Sequence, residues 1–229
     1  MTAAVIFDMD GTLIDTVDLH AASWQRTFAR FGHDIDYDLI RSQIGKGGDQ
    51  LMPALLPAKV VDRHGADMEK FRADLFKRAY MPRVKAFPKV RELFLRIQAD
   101  GGRVALASSS KPEELAVFKK AAGIEDLVDE ETCSADAERS KPFPDIFEAA
   151  LDQLGISPAA AVVIGDSPYD AGAAAKAGIA TIGVLCGGFA EDELTEAGCR
   201  QIFQDPADLL AHYDASLLAP QDSMAPAAR

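Results

Sequence analysis

The chain has 229 residues and little cysteine: three thiols, at positions 133, 186 and 199. An odd, widely spaced set of three matches neither a disulfide framework nor a zinc pattern. No uninterrupted apolar run is long enough to span a bilayer, so no membrane partner is expected. No basic region with an apolar stretch and cleavage site precedes the first strand pattern. A reducing, cytoplasmic location is the expectation. Basic charge is also in deficit, with 24 Lys+Arg against 36 Asp+Glu and a net charge of -12. That argues against a nucleic-acid partner, which needs basic surface. There is no internal repeat.

What is present suffices for a folded core. Apolar residues make up 48% of the chain, an ordinary globular share. The length fits one domain with an insertion, or two small ones. The charge is uneven. Residues 125–229 carry 5 basic against 20 acidic side chains, whereas residues 58–85 carry 8 against 4. Such a basic segment is either a solvated helix face or a means of steering an anionic substrate.

The most informative stretch is Ala3-Ala4-Val5-Ile6-Phe7-Asp8-Met9-Asp10-Gly11-Thr12-Leu13. An apolar run suited to a buried strand ends in two carboxylates one residue apart. Residues i and i+2 of a strand share a face, and Gly11 lets the backbone turn sharply. Asp8 and Asp10 therefore project together from the carboxyl end of the strand, where open α/β sheets bind ligands. Two carboxylates so close repel unless a cation or a shared proton compensates.

Downstream, Val17, His20, Ala21, Trp24, Phe28 and Phe31 recur at helical spacing, and Gly32 closes that helix. Residues 36–80 read as further short helices, broken by Gly45, Gly47, Gly48, Pro53 and Pro57. No strand pattern appears between residue 17 and about residue 102. After that, strands and helices alternate, with strands at 103–107, near 131–134, at 160–164, about 179–184 and near 201–203. The alternation predicts a doubly wound, Rossmann-like parallel α/β sheet core interrupted by an all-helical insertion. The expected division is a core of residues 1–15 and 85–215, a helical segment of 16–84, and a flexible tail of 216–229.

Four apolar runs lead into loops that carry chemistry. The first loop holds Asp8 and Asp10, and the second opens the triplet Ser108-Ser109-Ser110. The third holds Lys141 in Arg139-Ser140-Lys141-Pro142, and the fourth Asp166 and Asp170 in Gly165-Asp166-Ser167-Pro168-Tyr169-Asp170. In a parallel sheet all four lie at the carboxyl edge. The carboxylates suit a hard cation such as Mg²⁺. The lysine, hydroxyls and turn N–H groups suit phosphoryl oxygens, and one carboxylate is free to act as a nucleophile. Each signal alone has a plain structural reading, such as a helix-capping serine or a solvated loop lysine; their joint order carries the weight.

In these motifs the chain resembles the haloacid dehalogenase superfamily, in the capped phosphatase and phosphomutase branch, over about residues 3–210. The resemblance implies Asp8 as the nucleophile that becomes an aspartyl phosphate, and Asp10 as the acid and then base. It implies Mg²⁺ held by Asp8, the Asp10 backbone carbonyl and Asp166, with Asp170 in support. It implies Ser108, Ser109 and Lys141, with the Gly11 turn, around the phosphoryl oxygens. The dehalogenases that name the superfamily lack the second aspartate and need no Mg²⁺, so Asp10 points to phosphoryl chemistry. The helical insertion corresponds to a mobile cap. There His20 and the loop Ile44-Gly45-Lys46-Gly47-Gly48-Asp49 are expected to face substrate, with Lys46 the anion contact; the plain alternatives are a packed helix end and an interhelical turn.

The expected activity is Mg²⁺-dependent hydrolysis of a small phosphate monoester, a sugar phosphate, phosphoglycolate or similar, by a monomer or homodimer. The alternative is a phosphosugar mutase resembling β-phosphoglucomutase. Such mutases usually place an arginine in the cap loop, and none occurs between Arg41 and Arg63. A receiver-type phospho-acceptor module is the more distant alternative; it would lack the insertion and the late Asp166 and Asp170.

Overall fold

The computed structural model describes residues 2–220. Six strands form one sheet: β1 (Ala4–Phe7), β2 (Arg103–Ala107), β3 (Glu130–Thr132), β4 (Ala161–Gly165), β5 (Ala180–Val184) and β6 (Cys199–Phe203). Their order is β3-β2-β1-β4-β5-β6, and every pairing is parallel. The chain winds outward from β1 through β2 to β3, then returns to β4 on the other side of β1. The strand order thus reverses at β1, the position where such sheets form a ligand crevice.

Both faces of β1 are covered, which explains its unbroken apolar run. Val5 and Phe7 pack with Phe94 of α5 (Val90–Ala99), Phe118 of α6 (Pro112–Ala122) and Leu209 of α10 (Pro206–Ala211). Ala4 and Ile6 face the other way, onto Phe147 of α7 (Asp145–Leu154) and Ala173 of α8 (Pro168–Lys176). Each large buried side chain contributes roughly 1.5–3 kcal/mol. A short helix, α9 (Glu191–Glu196), precedes β6.

Between β1 and α5 the chain inserts four α-helices: α1 (Val17–Arg30), α2 (Tyr37–Arg41), α3 (Gly48–Leu55) and α4 (Ala58–Ala79). They have their own apolar cluster, including Val17, Trp24, Phe28, Ile40, Leu51 and Met68. The two connections to this cap run side by side, with Asp15 N donating to Lys85 O at 2.9 Å and Phe87 N to Leu13 O at 3.0 Å. Two readings need correction. Residues 58–79 are one helix of 22 residues rather than a series of short ones, because Gly45, Gly47, Gly48, Pro53 and Pro57 all lie before it. Pro53 lies inside α3 instead of ending it.

The tail also begins later than expected. Ser216 and Leu218 are buried, Leu218 within the cluster that contains Phe7. Thr2 Oγ1 donates to Leu217 O at 3.1 Å. Leu217 and Leu218 supply an apolar pair that the small and polar residues around them obscure. Residues 221–229 of the expected tail lie outside the described residues. Among the described residues no helix is long and apolar enough to cross a membrane.

Candidate active site

Asp8 follows β1 directly, and its N–H donates to Ile164 O at 2.9 Å, which fixes it beside the end of β4. Asp166 follows β4 and is 2% exposed. Thr12 Oγ1 donates to Asp166 Oδ1 at 2.9 Å, so the turn after β1 also orients the neighbouring loop. Gly11 makes that turn with φ +85°, and a Cβ there would overlap the Asp166 carboxylate.

Asp170 is fixed by its own helix start. Ser167 caps α8 and the two residues form a capping box, with Asp170 Oδ2 accepting from Ser167 N at 3.1 Å and Ser167 Oγ at 2.6 Å. Its other oxygen, Oδ1, is buried without an aligned hydrogen-bond donor. Lys141 Nζ stands 2.8 Å from it as an ion-pair partner. Lys141, 1% exposed, also contacts Asp8 Oδ1 and donates to Ala107 O at 3.1 Å.

Three buried carboxylates thus share one buried ammonium. Burial raises the Asp8 carboxyl to about 7; Lys141 opposes this, while Asp170 and Asp10 add to it. Burial, Asp170 and Asp8 hold Asp166 well above the usual carboxylate range, against Thr12 and Lys141. Burial disfavours the Lys141 ammonium, but Asp170 and Asp8 outweigh it and push its pKa up. With all three acids ionised, two negative charges are in excess. One oxygen from each of Asp8, Asp166 and Asp170 lies within 4.8 Å of the others. The oxygen donors and the excess charge fit a divalent hard cation such as Mg²⁺.

Asp10 turns away from this cluster toward the cap. Its Oδ1 accepts from Thr16 Oγ1 at 2.7 Å and faces His20 Nε2 at 2.8 Å; its Oδ2 accepts from Ser110 Oγ at 2.8 Å. Burial alone would raise this carboxyl, but His20 and the hydrogen bonds from His20, Thr16 and Ser110 lower it. His20 Nδ1 lies 2.6 Å from Arg72 Nη2. A guanidinium cannot accept, so Nδ1 accepts and the Nε2–H donates to Asp10. The ring stacks on Phe76 with centroids 4.2 Å apart.

A cavity of about 300 Å³ opens over Asp8 and Asp10, lined by Ser109 and Ser110 from the core and by Lys46 and Gly47 from the cap. Ser108 is fully buried, and its Oγ accepts from Ser110 N at 3.1 Å. It braces the serine loop in this closed arrangement, while Ser109 and Ser110 line the cavity. Lys46 Nζ donates to Gln43 Oε1 at 2.6 Å and lies 4.5 Å from the Tyr169 ring centroid. Ser140 contacts the Asp49 carboxylate across the cap boundary, and Tyr169 Oη donates to Ser42 O at 2.6 Å. Cap and core are therefore closed on each other.

Comparison with known proteins places this arrangement. A family model of haloacid dehalogenase-like hydrolases matches residues 5–184. The chain belongs to that family. A phosphorylated carbohydrates phosphatase of Thermotoga maritima is 30% identical to this hydrolase over 179 residues, covering 78% of this chain and 83% of that protein. A phosphoglycolate phosphatase of Nitrosospira multiformis is 28% identical over 180 residues, covering 76% and 79%. The solved structure of a hydrolase from Pseudomonas syringae has a TM-score of 0.84 at 26% identity, covering 94% of this chain and 99% of that one.

Several residues at the site of this hydrolase carried no individual signal in the sequence. Thr12 and Ser110 stand inside motifs read for their neighbours. Thr16 precedes α1 as an apparent helix start. Arg72 belongs to the basic segment 58–85, where nothing in the helical spacing separates an inward arginine from the solvated ones.

Proposed function

We propose that this hydrolase is a Mg²⁺-dependent phosphatase acting on a small phosphate monoester of the phosphorylated-carbohydrate or phosphoglycolate kind, through phosphorylation of Asp8. The observation that carries the reading is the division of labour between two carboxylates two residues apart. Asp8 sits among buried acids and Lys141, with its carboxyl near 7. Asp10 sits among three hydrogen-bond donors at the cap boundary. Asp8 shares its cluster with the lysine and the carboxylates that would hold a cation, which suits a nucleophile, and Asp10 faces the cavity from the cap side, which suits an acid and base.

In the first half-reaction the Asp8 oxygen bonds to phosphorus as the ester P–O bond breaks. Asp10 gives a proton to the leaving oxygen. An ionised Asp10 first has to acquire that proton, and an arriving phosphoryl anion raises a neighbouring carboxyl and favours uptake. In the second half, water attacks phosphorus and gives its proton to Asp10, and the Asp8–phosphorus bond breaks to release inorganic phosphate. Lys141, Ser109 and backbone N–H groups of the Gly11 turn and serine loop hold the phosphoryl oxygens; Ser108 keeps that loop in place. Asp8, Asp166 and Asp170 would hold Mg²⁺, which supplies neutralisation of the charge spread over the phosphoryl group. Closure of the cap, through His20 and the loop around Lys46 and Gly47, excludes bulk water from the cavity.

The test is hydrolysis of a panel of phosphorylated metabolites with and without Mg²⁺, for the wild type and Asp8→Asn. Mg²⁺-dependent phosphate release that is abolished in Asp8→Asn, with a phosphorylated Asp8 peptide recovered after acid quench of the wild type, is expected. Near-normal turnover by Asp8→Asn would refute the mechanism.

A further inference from the structure

Glu69 of α4 lines the same cavity as Asp8 and Asp10, on its cap side. Among the described residues its carboxylate makes no hydrogen bond and no ion pair. The cap loop is shaped around it: at Gly48, the first residue of α3, any Cβ would overlap the Glu69 carboxylate and meet Trp24 Cζ2 at 3.2 Å. A side chain at 48 would close off the space into which Glu69 reaches.

The cations around this part of the cavity are unequally available. Arg72 meets His20 Nδ1 at 2.6 Å and Glu114 at 3.7 Å, while its Nε is buried without a hydrogen-bond partner among the described residues. Lys46 donates to Gln43 and covers the Tyr169 ring. Lys111, at the start of α6, is exposed and makes no ion pair among the described residues. Asp49 accepts from Ser140 and Gln50. The hydrogen-bonding capacity left over is therefore of both kinds, an acceptor in Glu69 and donors in Lys111, Lys46 and the Nε of Arg72. A hydroxyl donates and accepts at once and can satisfy both. A second phosphate or a carboxylate could take the ammonium donors, but it offers Glu69 no hydrogen and meets it as a like charge.

We infer that Glu69 is a specificity-determining residue, which accepts a hydrogen bond from a hydroxyl of the leaving group and rejects leaving groups that carry a second anion. The substrate class that follows is a monophosphorylated polyol, in preference to a phosphorylated carboxylic acid or a bisphosphate. The inference rests on the phosphatase reading above and narrows it.

The experiment compares kcat/KM for triose to heptose monophosphates, phosphoglycolate and hexose 1,6-bisphosphate, all with Mg²⁺. It uses the wild type, Glu69→Gln, Glu69→Lys and Asp8→Asn. The wild type is expected to favour at least one monophosphorylated polyol over both anion-bearing substrates by about tenfold or more. Glu69→Gln keeps the shape and an acceptor oxygen but not the charge, and shifts that ratio toward the anion-bearing substrates through KM. Glu69→Lys shifts it further, by about tenfold or more. A wild type that prefers phosphoglycolate or the bisphosphate to every monophosphorylated polyol overturns the inference. So does a ratio that neither Glu69 variant moves. If Asp8→Asn is inactive while the Glu69 ratios stay fixed, only the role of Glu69 falls. If Asp8→Asn remains active, the phosphatase mechanism itself falls.

Discussion

His20 Nε2 lies 2.8 Å from Asp10 Oδ1. The ring belongs to the helical cap and the carboxylate to the sheet core, so this hydrogen bond joins the two. Arg72 behind the ring sets the tautomer, and Phe76 sets its plane. The contact across this boundary thus lowers the proton affinity of the residue proposed as acid and base.

His20→Ala removes a donor and the stacked ring together. We expect kcat/KM to fall at least about tenfold. The limb of the pH–rate profile assigned to Asp10 should move to higher pH, because the carboxyl loses the partner that holds it low. Steady-state kinetics between pH 4 and 9 measure both; an unmoved limb would dissociate His20 from Asp10.

Lys141→Met leaves Asp8, Asp166 and Asp170 buried without their cation. Breaking such a group costs about 3–5 kcal/mol, read by urea denaturation of the metal-free protein. The loss should be greater at pH 8 than at pH 5. Asp8 and Asp166 have raised folded-state pKa values, so the stability they retain is present at low pH and fades as pH rises through those values. An equal loss at both pH values would contradict this account.

Mg²⁺ binding should expel protons, because Asp8 near 7 and Asp166 well above its usual range are protonated in part before the ion arrives. Affinity is expected to weaken as pH falls from 8 to 6. The thermal shift produced by saturating Mg²⁺ should be larger at pH 8, where the metal-free protein has lost the contribution of these raised carboxyls. Calorimetry in buffers of different ionisation enthalpy reports the proton count, and a count of zero at pH 7 would rule the linkage out.

Gly187, in the loop after β5, has no room for a side chain. A Cβ there would overlap the Asp166 carboxylate. Gly187→Ala should therefore displace Asp166 and weaken Mg²⁺ binding by about tenfold or more, by analogy with changes to groups that orient metal ligands. The metal-free fold, followed by circular dichroism, should be retained. Wild-type affinity in this variant would mean that the loop yields and Asp166 does not.

The amino-acid sequence determined the sheet and its chemistry-bearing edge. The unbroken apolar runs of β1 and β4 require cover on both faces, which only helices on both sides of a parallel sheet provide. Period-two geometry then puts Asp8 and Asp10 at one strand end, and the order of motifs puts Ser108 and Asp166 directly after β2 and β4, with Lys141 in the connection after β3 and Asp170 in the first turn of α8. The basic surplus of residues 58–85 was equally legible, but not which of its side chains turns inward.

Only the tertiary structure decided how these groups divide. Asp8 falls among buried acids that one lysine cannot neutralise, whereas Asp10 falls among donors from α1 and the serine loop. Burial and contacts between residues as far apart as Asp10 and Ser110, or Asp8 and Lys141, set those environments, and neither has a local signature. The same holds for the cap. Gly48 reads in sequence as a helix breaker, yet it starts a helix and makes space for Glu69, because what a glycine leaves open depends on the side chain that folding brings to it.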